Sequence, residues 1–190
     1  MRAGVLVIQG AGAGAHAEDA LLVSSLRHHL GPEFEVEYPW LPDEDEADDD
    51  RWETAIADAL ETAPRPLVVV GHSAGGYPLL KALLTAPPTG LRAICLLAVP
   101  FPGADPVWTF DGFDLPSGFG ERLPQDARVF LYASPDDDTV PFAHRDHYAS
   151  EIPRAVTRTL PGGHQFGNDL RVVADDIRSV FLGRDDHPRG

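Results

Sequence analysis

The chain has 190 residues, 43% apolar and 24% charged, with a formal net charge of −15 and one cysteine. That size and balance predict one globular domain, residues 1–190, with room for a core, and exclude a disordered chain. The negative field opposes phosphate backbones and anionic lipid, so no nucleic-acid or membrane partner is expected. The lone Cys95, within AICLLAV, excludes an internal disulfide and a cysteine zinc site.

The first apolar run, VLVIQ (5–9), falls far short of the roughly 20 residues a membrane helix needs, and its flanks do not suit a signal peptide. It is read as the first strand of a cytoplasmic protein. GAGAGA follows. Gly10, Gly12 and Ala15 fit G-x-G-x-x-G/A, the turn that cradles a dinucleotide pyrophosphate. Glu18 and Asp19 argue against that use, because carboxylates in the first helical turn satisfy the helix dipole and repel a diphosphate.

Leu22, Leu26 and Leu30 share one face of a helix over 18–30, which Gly31-Pro32 ends. FEVEY (34–38) is the second strand. DEDEADDD (43–50) holds seven carboxylates in eight residues, but without the glycine and spacing of an EF-hand. It is read as a solvated loop entering a helix over 48–62, with Trp52, Ile56, Ala59 and Leu60 turned inward. PLVVVG (66–71) is a continuous apolar run, as in a central parallel strand. A helix over 74–85 and a buried strand, LRAICLLAV (91–99), come next.

Residues 100–125 break the pattern. Phe101, Trp108, Phe110, Phe113 and Phe119 lie there among prolines and glycines. A long irregular insertion after a parallel strand often lines a site, and Trp108 and Phe110 are taken as substrate-binding candidates. VFLYAS (129–134) and AVTRTL (155–160) are the last strands. A helix over roughly 168–182 precedes a tail at about 184–190. Six mainly parallel strands alternating with helices predict a three-layer α/β sandwich without a large cap domain.

GHSAGG (71–76) follows the central strand and opens a helix. Gly71-x-Ser73-x-Gly75 is the nucleophile-elbow pattern, with serine at a strained strand-to-helix apex where flanking side chains would collide. A backbone N–H after the serine then faces a developing oxyanion. A carboxylate follows VFLYAS in SPDDDTVP, and a histidine follows the last strand in LPGGHQFGN. The order Ser73, aspartate, His164 is the serine–acid–histidine order of α/β-hydrolases. His164 is the expected general base. For the acid, D-x-x-V-P spacing before Pro141 selects Asp137, with Asp136 and Asp138 as alternatives. His72 is read as a packing and hydrogen-bonding residue, Ser134 as structural, His16 as a capping or solvated residue at the site's rim, and His144 and His147 as surface residues of a helix. No metal site is assigned.

With these motifs placed, the sequence resembles the small serine hydrolases typified by retinoblastoma-binding protein 9 and bacterial YdeN. The shared features are the glycine-rich loop after VLVIQG, the stretch YPWLPDEDEADDDRW, GHSAGG, SPDDDTVP and GGHQFGN. The resemblance implies an α/β-hydrolase fold, a Ser73–His164–Asp137 triad, and cleavage of small carboxylic esters without a cofactor. This chain departs at Gln9-Gly10, where many such loops have proline-glycine or histidine-glycine. It also lacks L-x-C-x-E, so no retinoblastoma-type partner is expected.

The expected function is therefore a serine carboxylesterase acting on small, soluble acyl esters. Thioesterase or amidase chemistry on the same triad, and a non-catalytic protein-binding module on the same fold, are the alternatives. The loop after the first strand should supply an oxyanion N–H, from Ala11 or from Gly12, paired with the N–H of Ala74. Gly12 is also a substrate-binding candidate. Oligomeric state is not legible.

Overall fold

The computed structural model describes residues 2–45, 49–104, 106–108 and 115–182. Phe110, Phe113 and the tail at about 184–190 lie outside them.

The elements in chain order are β1 (Ala3–Ile8), α1 (Ala15–Leu30), β2 (Phe34–Glu37), α2 (Asp49–Thr62), β3 (Leu67–His72), α3 (Gly76–Thr85), β4 (Leu91–Leu97), α4 (Phe119–Arg122), β5 (Arg128–Ala133), α5 (Ala143–Glu151), β6 (Val156–Thr159) and α6 (Arg171–Leu182). A short 3₁₀ turn, Ser73–Gly75, joins β3 to α3.

The six strands form one parallel sheet in the order β2-β1-β3-β4-β5-β6. β1, β3 and β4 are almost wholly buried, which accounts for their continuous apolar runs. The edge strands β2 and β6 alternate or are only half-buried. Successive side chains of β1 serve two cores. Leu6 and Ile8 join Trp52, Ile56, Leu79, Leu83 and Tyr148 beneath α2, α3 and α5. Val5 and Val7 join Leu22, Leu26, Val173 and Ile177 beneath α1 and α6. Helices therefore cover both faces, and the domain is a three-layer sandwich.

Two elements differ from the sequence reading. α1 begins at Ala15, three residues before the leucine stripe. α5 has no place in the strand–helix count because its inward face carries only His144 and Tyr148, at i and i+4. His144 is not a surface residue: it is 2% exposed, and its Nδ1 accepts the Phe101 N–H at 2.7 Å. His147 is exposed and packs its ring on Phe101. The Tyr148 hydroxyl donates to the Pro100 carbonyl at 2.9 Å. α5 thus anchors the start of the aromatic insertion.

The chain reverses direction across the sheet between β1 and β3, and at such a switch point loops diverge to leave a crevice at the strands' C-terminal edge.

Candidate active site

The elbow is shaped by close backbone approach. Ser73 sits at φ 49°, in the left-handed region that a non-glycine residue enters only under constraint. The glycines around it supply that constraint. A Cβ on Gly71 would lie 2.6 Å from the Gly76 Cα, and one on Gly76 would lie 2.3 Å from a Val99 methyl. The turn therefore packs directly on its own helix and on the end of β4.

Three strand ends converge on Ser73. His164, after β6, places Nε2 3.0 Å from the Ser73 Oγ. Asp137, after β5, places Oδ2 2.9 Å from the His164 Nδ1. Its Oδ1 accepts the N–H groups of Thr139 and Val140 at 2.8 and 2.9 Å. Burial works to raise the Asp137 carboxyl, but the hydrogen bonds from His164, Val140 and Thr139 outweigh it and hold the group below the ordinary carboxylate range. The carboxylate is therefore ionised where it faces the imidazole.

Its neighbours point elsewhere. Asp136 bonds the Ser134 hydroxyl and accepts the Gly162 N–H, while Ser134 Oγ accepts the Gly163 N–H. Those two residues hold the loop that carries His164. Asp138 is exposed at the cavity rim. Of the three consecutive aspartates, Asp137 is the one that meets His164.

A cavity of about 650 Å³ opens over Ser73, lined among others by Gly10, Ala11, Ala74, Trp108, Thr139 and His164. Trp108 is thus on the wall. Ala11 and Ala74 flank the serine. Gly12 does not line the cavity, and its N–H donates to the Glu44 carbonyl at 2.7 Å. That bond turns it away from the serine, so Gly12 is corrected both as an oxyanion donor and as a substrate contact. The Gly10 N–H is also committed, to Asp19 Oδ2 at 2.8 Å. Ala11 stands between these two tethered neighbours.

Glu44 was not legible as a site residue within the acidic run. Its carboxylate accepts the N–H groups of Gly14 and His16 at 2.9 and 2.8 Å, and the Gln9 amide at 3.1 Å. These bonds, the one from His16 foremost, keep the carboxyl below its ordinary range. The side chain caps α1 from another loop, so the helix starts at Ala15. His16 is held there too, its ring stacked on Tyr38 at 4.3 Å. The protein's own anion occupies the helix N-terminus that a pyrophosphate would need, which disposes of the dinucleotide reading of GAGAGA.

His72 is the packing and hydrogen-bonding residue expected from the sequence, but its partner Asp19 was missed. Asp19 does not face the dipole as expected; it is 2% exposed and reaches beneath the elbow to His72, Gly10 and Gln165. One weak signal pointed there: a carboxylate one turn beyond a glycine-rich loop beside a G-H-S motif.

Cys95 is buried among core residues, and burial pushes its thiol up to about 12. Among the described residues, no group of three or more histidine, cysteine, aspartate or glutamate side chains is arranged to hold a metal, and no helix is long and apolar enough to cross a membrane.

Comparison of the sequence with curated proteins returns no match. Solved structures share the fold. The ydeN gene product of B. subtilis aligns over 95% of this chain and 99% of its own, at 20% identity and a TM-score of 0.75. A serine hydrolase involved in carbazole degradation aligns over 97% of this chain and 92% of its own, at 15% identity and a TM-score of 0.73. SOBER1 of Arabidopsis thaliana aligns over 95% and 100%, at 16% identity and a TM-score of 0.68. A family model described as "Alpha/beta hydrolase family" matches residues 5–189. With that match spanning the sheet, the elbow and all three converging strand ends, the chain belongs to the alpha/beta hydrolase family.

Proposed function

We propose that the protein is a serine hydrolase that cleaves carboxylic esters of small, soluble acyl groups through an acyl-enzyme. The observation that carries this reading is the unbroken relay from Ser73 Oγ to His164 Nε2 at 3.0 Å and from His164 Nδ1 to Asp137 Oδ2 at 2.9 Å.

In the first half-reaction His164 Nε2 takes the Ser73 proton as Oγ bonds to the carbonyl carbon. Asp137 holds the Nδ1 proton and stabilises the imidazolium. The carbonyl oxygen, now negative, receives the N–H groups of Ala11 and Ala74. His164 returns its proton to the departing alkoxide, and the acyl group stays on Ser73. Water then repeats the sequence, giving the free acid and restoring the serine. Every proton is accounted for within the triad, and no cofactor enters.

The same steps serve thioesters and amides. The preference for short, soluble acyl esters rests on a cavity lining that includes the carboxylates Glu18, Asp45 and Asp138 and, as its large apolar side chain among the described residues, Trp108.

The test is reaction with a fluorophosphonate probe, followed by rates on p-nitrophenyl esters from acetate to palmitate. Labelling of the wild type and none of Ser73→Ala is expected, with the highest rate at short chains. Labelling that persists without Ser73 would sink the hydrolase reading. A maximum at palmitate would sink the substrate reading alone.

A further inference from the structure

We propose that Asp19 and His72 form a buried ion pair that positions the catalytic segments relative to one another. Its effect on turnover rests on the hydrolase reading above; its charge state does not.

The charge state follows from donor and acceptor chemistry. Asp19 Oδ2 meets the Gly10 N–H and His72 Nδ1, each at 2.8 Å, and Oδ1 meets the Gln165 amide nitrogen at 2.9 Å. Both Asp19 oxygens accept from other donors, Oδ2 from the Gly10 N–H and Oδ1 from the Gln165 amide. That suits a carboxylate and not a carboxylic acid, whose hydroxyl oxygen accepts poorly. The proton between Oδ2 and His72 Nδ1 is held by the ring. The carboxyl is therefore ionised. His72 Nδ1, facing a carboxylate, must donate. His72 Nε2 lies 3.2 Å from the His164 carbonyl, which can only accept, so it must donate as well. A ring with two donating nitrogens is an imidazolium. Both side chains are about 3% exposed, so neither charge is tolerable without the other. Burial alone would lower the histidine; the adjacent carboxylate overcomes it and raises its affinity for the proton.

The contacts join three separate pieces of the site. Through Gly10, Asp19 fixes the loop that carries Ala11. His72 immediately precedes Ser73 on the elbow. Through the His164 carbonyl and the Gln165 side chain, the pair grips the loop that carries the general base. The His72 and His164 rings lie 4.9 Å apart. When His164 gains its proton during turnover, Asp19 offsets the positive charge already on His72. Neither Asp19 nor His72 touches the reacting atoms in this scheme; both are positioning residues.

The experiment is steady-state kinetics of Asp19→Asn and His72→Gln, with folding checked by circular dichroism, and ¹⁵N NMR of histidine-labelled wild type. Asp19→Asn should lower kcat about 10- to 100-fold, as expected for a misplacement of about 1 Å, with little change in KM. The NMR should show one imidazole with both nitrogens protonated at neutral pH, missing in His72→Gln. An unprotonated His72 nitrogen at pH 7, or a rise in KM at unchanged kcat in Asp19→Asn, would overturn the proposal. Should Asp19→Asn fail to fold, His72→Gln and the wild-type spectrum still decide. A wild type that does not react with fluorophosphonate defeats the hydrolase reading while leaving the spectrum to judge the pair.

Discussion

The Gln9 carbonyl oxygen occupies the space that a Cβ on residue 75 would need: the two would be 1.8 Å apart. The second glycine of the elbow is thus a contact between β1 and α3 as much as a feature of the turn. Gly75→Ala must push the two apart, and the overpacking should cost about 3 kcal/mol. For a domain of this size that lowers Tm by about 6–12 °C. Thermal unfolding followed by circular dichroism measures it; an unchanged Tm would show that the β1 loop yields freely.

The three consecutive aspartates should separate cleanly in kinetics. Asp137→Asn removes the acceptor of the His164 Nδ1 proton and should lower kcat about 10⁴-fold. Asp138→Asn, at an exposed rim position, should change kcat little. Asp136→Asn weakens the contacts to Ser134 and Gly162 that hold the histidine loop, and should fall between them. A larger loss in Asp136→Asn than in Asp137→Asn would reassign the acid.

Much of this site was legible because its residues sit in local patterns. Ser73 lies between Gly71 and Gly75 after an apolar run, and His164 lies in a glycine-rich loop after the last strand. Spacing to Pro141 separated Asp137 from its neighbours. The sheet was legible for the same reason, since β3 and β4 are buried on both faces and read as uninterrupted apolar runs. What escaped were side chains whose roles depend on contacts distant in sequence. Glu44 caps a helix 28 residues before it in the bond to His16. Asp19 reaches His72 across 53 residues. α5 hides its single inward stripe behind a histidine. No periodicity records such contacts.

The Asp19–His72 pair also predicts a pH window for stability. Asp19 is held below the ordinary carboxylate range: burial opposes this, but His72 and the hydrogen bonds from His72, Gly10 and Gln165 prevail. Its contribution is therefore present above about pH 4 and is lost as pH falls through its depressed value. His72 is raised, so its contribution is complete below about pH 6.5 and is lost as pH rises through its elevated value. The two overlap fully between those limits. The gap in Tm between wild type and His72→Gln should be widest near pH 5–6 and shrink toward both extremes. A gap that grows steadily with pH would contradict the raised histidine.

Substrate charge should matter as well. Glu18, Asp45 and Asp138 are exposed on the cavity lining, and no lysine or arginine lines it among the described residues. An ester bearing a distal carboxylate should have a lower kcat/KM than its neutral isostere. The difference should narrow in salt, because screening shortens from about 10 Å at 0.1 M to about 3 Å at 1 M. Equal rates at low salt would remove the rim carboxylates from any part in selection.

Glu44 gives the glycine-rich loop a ligand that cannot diffuse away. Held by its own chain beside the N–H groups of Gly14 and His16, its carboxylate acts at an effective concentration that ordinary free anions do not reach. A phosphate in solution would have to displace a competitor that has already surrendered most of its translational freedom. Saturation from within keeps the entrance to α1 closed to anions, and leaves the loop's shape indifferent to the ionic contents of its surroundings.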